Sequence, residues 1–372
     1  MINRDHTSDT HIDNDALVQR LVKGDVTDLI EQARHENNIP AMAVVAMDSE
    51  RLFLSDIQGE REIGSNSTAT LDDYFHIGSC TKSILAVMAG RLIEEGELNW
   101  NTRFFDLFPE WKTVAKVDYL PISLEDLLLC QAGIMPFTAG EEYAHLDASI
   151  SSTRRAFIKY LIQQKPASKR TKDGFKYLYS NASYTMAALM LEQVTGLTWE
   201  ELILQTLLNE LELEFKFGWP NSDDINQPWG HAELDGNLRA LAPDHEYKLP
   251  SIIAPAGDLS FKPLDYAKYV QLHLQGLRGR DNYLTSETYQ KIHYRQRGFS
   301  LGVVNQTAWG ERYSEFDGSA GTFYCATMIF PDSNFAFAIM ANSGAAQAVK
   351  GIAWLSKKII KKYFNLWWMF WM

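Results

Sequence analysis

Strand-like runs lie at both ends of this chain, and most of the sequence between them has helical spacing. The N-terminal run is AMAVVAMDSERLFLSDIQGERE (residues 41–62), in which Asp48-Ser49-Glu50 predicts a turn between two apolar segments. A second group follows residue 298: FSLGVV, GTFYCATMIF and FAFAIMANS, with PDSN as a predicted hairpin loop between the last two. This order predicts an α/β (α+β) fold, in which an antiparallel sheet built from N- and C-terminal segments is flanked by helices.

The middle of the chain, at about residues 100–255, predicts an inserted and mostly helical region. Ser123 and Thr198 each begin a capping-box pattern, and Gly196 between them is a predicted helix stop. A closing helix is predicted at about residues 345–365. The absence of an internal repeat or a long linker favours one domain.

The two ends of the chain differ from this domain. Residues 1–15 predict a polar tail, residues 16–365 the folded domain and residues 366–372 an aromatic tail. The ending KKIIKKYFNLWWMFWM places four lysines before a run of Trp and Phe. It is open to two interpretations: a weak contact with a membrane surface, or packing of the aromatic rings on the protein itself or in a dimer.

Composition excludes several classes of function. A net charge of −12 argues against a protein that tracks nucleic-acid phosphates. The three cysteines have neither a disulfide framework nor the spacing of a zinc site, and we expect no metal and no cofactor. The polar start lacks the apolar segment of a secretory signal, and no run is long enough to span a membrane, so we expect a cytoplasmic protein of unknown oligomeric state.

The stretch HIGSCTKS places Ser79 three residues before Lys82, at the start of an apolar helical run. Residues i and i+3 share one helix face, and an amine that is partly neutral can take the proton of a serine nucleophile. Burial can lower the pKa of a lysine enough for this. The spacing alone occurs about once by chance in such a chain. A serine cap beside a solvated lysine is therefore the alternative.

Two further segments carry polar groups that fit the same chemistry. Tyr179-Ser180-Asn181 directly precedes a helical run, and a tyrosinate beside a cationic lysine can act as a general base. The same Y-x-N pattern recurs at Tyr363-Phe364-Asn365. In EFDGSAGTFYCATMIF, Gly318 and Gly321 open a predicted strand, which indicates either close approach by a ligand or a simple turn.

Taken in order, these segments resemble the S-x-x-K, Y-x-N and K/H-x-G motifs of the penicillin-recognising serine hydrolases. That family includes class C β-lactamases, low-molecular-weight penicillin-binding proteins, esterases and D-aminopeptidases. ISLEDLLLCQAGI, YSNASYTMAALMLEQVTG and PAGDLSFKPLDYAKYVQLHLQG also look like family segments, and the resemblance covers roughly residues 25–360. It implies the β-lactamase/transpeptidase-like fold and a covalent acyl-enzyme.

The resemblance also implies a role for each matching residue. Ser79 would be the acylated nucleophile, Lys82 its proton partner and Tyr179 the general base or relay. Asn181 would orient the substrate and the lysine. The oxyanion would be held by the backbone N–H groups of Ser79 and Ser319, the residue after Gly318 in the third motif.

The third motif departs from the family pattern, because Phe316 stands where lysine or histidine is usual, with Asp317 after it. Phenylalanine cannot pair with a substrate carboxylate, and an aspartate would repel one. We therefore expect a serine hydrolase acting on a small ester, amide or peptide, more esterase- or peptidase-like than a β-lactamase. An acyltransferase, a β-lactamase or D,D-peptidase, and a silent ligand-binding relative remain alternatives.

Other departures and scattered histidines carry less weight. Cys130-Gln131-Ala132-Gly133 stands where H-T-S-G is common in the family, and we interpret it as loop packing. His76 is the only histidine close in sequence to the proposed chemistry, and His231 is interpreted as a loop histidine.

Overall fold

The computed structural model describes residue 21 and residues 23–172, 174–308 and 310–364. Within these ranges the longest strands lie towards the two ends of the chain, and most of the helices lie between them. The strands are β1 (Ala41–Met47), β2 (Leu52–Gly59), β3 (Phe75–His76), β4 (Arg170–Thr171), β5 (Gly174–Phe175), β6 (Phe215–Phe217), β7 (His231–Leu234), β8 (Asn237–Ala240), β9 (Leu259–Phe261), β10 (Gly298–Phe299), β11 (Val304–Ala308), β12 (Glu311–Ser319), β13 (Tyr324–Phe330) and β14 (Phe335–Ala341). The helices are α1 (Lys23–Asn37), α2 (Thr81–Glu94), α3 (Phe104–Leu107), α4 (Leu124–Leu128), α5 (Gly140–Ala144), α6 (Ala148–Ser151), α7 (Arg154–Leu161), α8 (Asn181–Thr195), α9 (Trp199–Ile203), α10 (Ala254–Gly257), α11 (Pro263–Leu277), α12 (Ser286–Tyr294) and α13 (Ala346–Tyr363).

The main sheet joins the two ends of the chain. Its strand order is β10-β11-β12-β13-β14-β1-β2, and each neighbouring pair is antiparallel. Strands β1 and β14 pair from Met42–Ala341 to Met47–Ala336. The predicted fold class, an antiparallel sheet assembled from both chain ends and flanked by helices, is confirmed.

Both faces of this sheet are covered, which explains why its central strands are not amphipathic. Every residue of β1 and β14 is buried. Ala43 and Val45 contribute to the large core shared with the helical region, whereas Val44 belongs to a second core beneath α1 and α13. A strand buried on both faces has no place for alternating polar residues.

The predicted helix boundaries agree with the structure at most positions. Ser123 and Thr198 both form capping boxes, and Gly196 ends α8 in the left-handed conformation at φ +73°. The helix that begins at the Thr198 capping box is short: its α-helical part ends at Ile203, and residues 204–210 form a π-helix. Strands β4–β8 also lie within residues 100–255, which the sequence predicts to be mostly helical.

The predicted polar tail of residues 1–15 and the aromatic tail of residues 366–372 lie outside the described residues. Within the described part of the chain, no helix has the length and hydropathy required to cross a membrane.

Candidate active site

Ser79 lies in a single 3-10 turn, Gly78–Cys80, directly before helix α2. This turn packs against the backbone of strand β12. A Cβ atom on Gly318 would lie 2.0 Å from the carbonyl oxygen of Ile77, and one on Gly78 (φ +50°) would lie 2.6 Å from the nitrogen of Ser319. Glycine is therefore required at both positions. Gly318 lies near the end of strand β12 and does not open a strand as predicted, and the close approach at this glycine is made by the chain's own turn.

The side chains of the first two motifs meet at the Ser79 hydroxyl. The Lys82 Nζ lies 2.9 Å from the Ser79 Oγ, and the Tyr179 hydroxyl donates to the same oxygen at 2.8 Å. The alternative of a serine cap beside a solvated lysine is wrong, because Cys80 is the N-cap of α2 and Lys82 is only 1% exposed. The second Y-x-N copy lies elsewhere: Tyr363 stacks on Phe335 in the second core, and Asn365 is outside the described residues.

Burial determines the protonation of Lys82. Desolvation lowers the pKa of its amine to about 7, so a large fraction is neutral near neutral pH. The Nζ has two further hydrogen-bond acceptors, the Asn181 Oδ1 at 2.8 Å and the Ala256 carbonyl oxygen at 2.6 Å. A neutral amine has two N–H donors for these two oxygens and one lone pair for the Ser79 O–H. This geometry suits a base that accepts the serine proton.

Burial acts in the opposite direction on Tyr179. Desolvation, followed by smaller effects of Cys130 and Asp317, raises the pKa of its phenol. The Lys82 Nζ lies 4.9 Å from the centre of the tyrosine ring, over its face. The hydroxyl is therefore protonated at neutral pH and acts as a donor to Ser79. Of the two roles expected for this tyrosine, the geometry favours the relay over the base.

Asn181 is held by the loop that precedes it and by the loop of Phe137. Its side-chain Nδ2 donates to the Phe137 carbonyl oxygen at 2.9 Å, which directs the Oδ1 towards Lys82. Ser180 caps helix α8 and also donates to the Met135 carbonyl oxygen at 2.7 Å. The carbonyl groups of Phe137 and Ala256 are site components that the sequence does not reveal, because every residue carries a carbonyl group.

Two other predictions about individual residues can be placed in the structure. Cys130 is buried with φ +54°, its thiol lies 3.9 Å from the Ser180 carbonyl oxygen, and burial raises its pKa to about 12. This environment fits the predicted packing role. The interpretation of His231 as a loop histidine is wrong, because this residue begins strand β7 and is buried. Its Nδ1 lies 2.7 Å from the Asn342 carbonyl oxygen, its Nε2 accepts from the Ile63 N–H, and desolvation lowers its pKa to about 4.

His76 supports the turn that carries the nucleophile. Its Nδ1 accepts a hydrogen bond from the Gly78 N–H at 3.1 Å, which leaves the Nε2–H to donate to Asp258 at 3.2 Å. The ring is fully buried and lies 4.7 Å from the ring of Trp219. It therefore positions the backbone beside Ser79 and has no contact with the Ser79 hydroxyl.

Ser79 opens into a cavity of about 330 Å³. Tyr177, Phe299 and Val304 form an apolar wall, with the rings of Tyr177 and Phe299 5.3 Å apart. The third motif supplies another part of the lining: Phe316, Asp317, Gly318 and Ser319.

Phe316 is 3% exposed and packs 5.9 Å from the ring of buried His273. Among the described residues, Lys82 is the only lysine or arginine that lines this cavity. Within the described part of the chain there is also no group of three or more side chains suited to holding a metal ion.

The order and geometry of these motifs agree with a match to known proteins. The protein-family model described as Beta-lactamase matches residues 26–357. The chain belongs to the beta-lactamase family. Its nucleophile turn, helix α8 and strand β12 all lie within the matched range.

Curated relatives of this beta-lactamase-family chain are distant. Protein flp of Staphylococcus aureus (strain N315) is 20% identical over 368 residues, which cover 95% of this chain and 69% of flp. Teichoic acid D-alanine hydrolase of Staphylococcus aureus (strain MRSA252) is 26% identical over 179 residues, covering 48% of this chain and 41% of that protein.

Solved structures of two other proteins share the fold. The octameric penicillin-binding protein homologue from Pyrococcus abyssi has a TM-score of 0.72 at 20% identity, covering 92% of this chain and 77% of that one. SurE has a TM-score of 0.74 at 20% identity, covering 94% of this chain and 76% of SurE. At this identity the likeness shows the fold alone.

Proposed function

We propose that this protein is a serine hydrolase that cleaves an ester or amide through a covalent acyl-enzyme on Ser79. The observation that carries the proposal is the pair of contacts at the Ser79 Oγ, with the Lys82 Nζ at 2.9 Å and the Tyr179 hydroxyl at 2.8 Å. The lysine is buried and has a pKa of about 7, so it can accept a proton near neutral pH.

Acylation begins with neutral Lys82. As the Ser79 Oγ forms a bond to the substrate carbonyl carbon, the serine proton passes to the lysine amine. The resulting ammonium has three donors for the three oxygens around it. Collapse of the tetrahedral intermediate breaks the bond to the leaving group. The leaving group takes the phenolic proton of Tyr179, and the ammonium of Lys82, which shares the Ser79 Oγ with the tyrosine, then returns its proton to the phenolate.

In this proposal, backbone N–H groups stabilise the negative charge on the tetrahedral intermediate. The N–H groups of Ser79 and Ser319 are the expected oxyanion hole. Support comes from the tight packing of the turn on strand β12, since a Cβ on Gly318 would lie 2.4 Å from the Ser79 nitrogen. Deacylation runs the sequence in reverse, with water in the place of the leaving group, or another nucleophile if the enzyme is an acyltransferase: its proton passes to the tyrosine, and the ammonium of Lys82 returns a proton to the Ser79 Oγ as the acyl bond breaks.

Two observations bear on the substrate. Among the described residues, Lys82 is the only cation that lines the cavity, and its amine already contacts Ser79, Asn181 and Ala256. Neither Phe316 nor Asp317 can bind a substrate carboxylate. This favours an ester or amide without a carboxylate over a β-lactam or a D,D-peptidase substrate. A Staphylococcus aureus relative named for hydrolysis of teichoic acid D-alanine adds weight to an ester or amide substrate.

The direct test combines labelling with turnover. Wild-type protein is incubated with a fluorophosphonate and with p-nitrophenyl esters of short acids, and peptide mass spectrometry locates the adduct. We expect one phosphonyl group on Ser79, and at least about 10³-fold slower ester hydrolysis by Ser79→Ala. Ester hydrolysis that persists in Ser79→Ala, with no adduct on Ser79, would refute the proposal.

The same protein separates the alternatives. Nitrocefin turnover or penicillin labelling at rates comparable to ester hydrolysis would favour a β-lactamase or D,D-peptidase. Acyl transfer to an added alcohol or amine in preference to water would identify an acyltransferase. A protein that binds esters but neither hydrolyses them nor is labelled would be a silent relative.

A further inference from the structure

Asp317 is an exposed residue that lines the cavity containing Ser79. Strand β12 presents it one residue before Gly318, where the strand packs against the nucleophile turn. The hydroxyl of Tyr324 on the neighbouring strand β13 donates to the Asp317 Oδ2 at 2.6 Å. This hydrogen bond to a charged acceptor holds the carboxylate in a defined orientation.

Asp317 has no cationic partner in the described part of the chain. None of the ion pairs between described residues includes it. Lys357 of helix α13 lines the adjacent cavity, which also includes Asp317 and Glu315, but forms no ion pair with Asp317. The active-site cavity is therefore acidic at this residue.

The rest of the cavity lining is largely apolar. Tyr177 is 47% exposed and packs on Phe299, which also contacts the ring of Tyr179 at 5.8 Å. Val303 and Val304 continue this wall. A ligand that fills the cavity therefore meets apolar side chains, the nucleophile, and a single fixed carboxylate.

We propose that Asp317 is a specificity-determining residue that binds an ammonium group of the acyl donor. The substrate class is then an ester or amide that carries a cationic amine and an otherwise uncharged, apolar acyl group. This rests on the proposed function, because the ammonium is recognised while Ser79 attacks the carbonyl of the same molecule. An uncharged shape-matched substrate lacks this contact, and an anionic one is repelled.

Because Asp317 is exposed, we expect a moderate effect. An ion pair with that exposure is screened, so the ammonium is worth about threefold to fivefold in kcat/KM. The contribution should decrease as the salt concentration rises, since the two charges remain in contact with water.

The test uses the full chain at pH 7 with two benzyl esters, those of alanine (both enantiomers) and isobutyric acid. The methyl group of isobutyrate replaces the ammonium at nearly equal size, and benzyl alcohol release is measured by chromatography. Asp317→Asn should lower the kcat/KM ratio of the alanine ester to the isobutyrate ester by about threefold to fivefold. Comparing ratios between proteins cancels the different intrinsic reactivities of the esters.

Two other variants complete the design. Glu315→Gln removes a neighbouring carboxylate that lines only the adjacent cavity, and should leave the ratio unchanged. Tyr324→Phe keeps the Asp317 carboxylate but frees its orientation, and should lower the ratio by about twofold. This variant also tests the idea if Asp317→Asn folds poorly, which the thermal midpoint reports.

The outcomes separate the two proposals. An unchanged ratio in both Asp317→Asn and Tyr324→Phe, in protein that still hydrolyses the esters and is labelled on Ser79, overturns the ammonium site and leaves the hydrolase intact. An equal fall of the kcat/KM ratio in Glu315→Gln also overturns it, because any nearby negative charge would then have the same effect. If wild type hydrolyses neither ester and gives no Ser79 adduct, the proposed function fails and the ammonium site fails with it.

Discussion

Replacing Asn181 with aspartate should move the pH dependence of activity without moving any atom of the nucleophile. The Oδ1 of Asn181 lies 2.8 Å from the Lys82 Nζ, so Asn181→Asp would put a negative charge at that distance. An opposite charge this close favours the ammonium form and typically raises the pKa of its partner by about 2 units. The pKa of Lys82, which burial holds at about 7, should then rise to about 9.

The size of the effect follows from the fraction of neutral lysine. With a pKa of about 7, half of the wild-type Lys82 is neutral at pH 7. With a pKa of about 9, roughly 1% is neutral at pH 7, so kcat/KM should fall about 50-fold. Activity depends on the neutral form, and it therefore rises with pH. At pH 9.5 the variant should return to within a few-fold of wild type.

The assay is kcat/KM for an uncharged benzyl ester from pH 5.5 to 10. Asn181→Ala is the matched control, because it changes the same side chain without adding charge and should leave the rise in activity at or below pH 7. Asn181→Asp loses the N–H bond to Phe137, worth about 1 kcal/mol, so thermal midpoints are recorded for both variants. A loss of activity by the same factor at every pH, or a rise that stays centred near pH 7, would refute Lys82 as the base.

Three further predictions concern the same site. The pKa of Lys82 is 10.5 in the unfolded chain and about 7 in the folded protein, so the unfolded state binds the extra proton and stability rises with pH. Relative to Lys82→Met, the unfolding free energy of wild type should rise by about 3 kcal/mol between pH 7 and 9.5 in denaturant titrations. A difference between the two proteins that does not change with pH would contradict the low pKa. Tyr179→Phe should lower kcat about 100-fold with little change in KM, since it removes the relay hydroxyl 2.8 Å from Ser79; steady-state kinetics with a poor leaving group test this, and unchanged kcat argues against a relay. Gly318→Ala should lower the unfolding free energy by about 2 kcal/mol or more, because the new Cβ would lie 2.0 Å from the Ile77 carbonyl oxygen; wild-type stability in a denaturant titration would mean that the turn and strand are not in tight contact.

The sequence predicts the parts of this molecule that depend on residue type and order. The strand-like runs at residues 41–62, 321–330 and 335–343, the capping boxes at Ser123 and Thr198 and the stop at Gly196 are local patterns, and the structure has them. The run FSLGVV is wrong as a strand, because residues 300–303 lie between β10 and β11. The spacing of Ser79 and Lys82 and the Tyr179 motif are also visible in the sequence. The structure brings these side chains within hydrogen-bond distance of each other.

What the sequence does not predict depends on burial and on backbone atoms. The low pKa of Lys82 arises from desolvation, which requires the whole surrounding core. The acceptor at Ala256 is a main-chain oxygen, and nothing in the identity of alanine indicates it. The raised pKa of Tyr179, which favours a relay over the expected base, likewise follows from burial. The π-helix that follows Ile203 continues a sequence with ordinary α-helical spacing.

The pairing of β1 with β14 has a consequence for the order of events during synthesis. Residues that belong side by side in this sheet, such as Met42 and Ala341, are separated by most of the chain. Nearly the complete polypeptide must therefore emerge from the ribosome before strand β1 can pair with β14. Until then, the sheet that holds strand β12 against the turn of Ser79 is incomplete. The nascent chain should thus remain catalytically inert until its last strand emerges, and closing so long a loop should make folding slow.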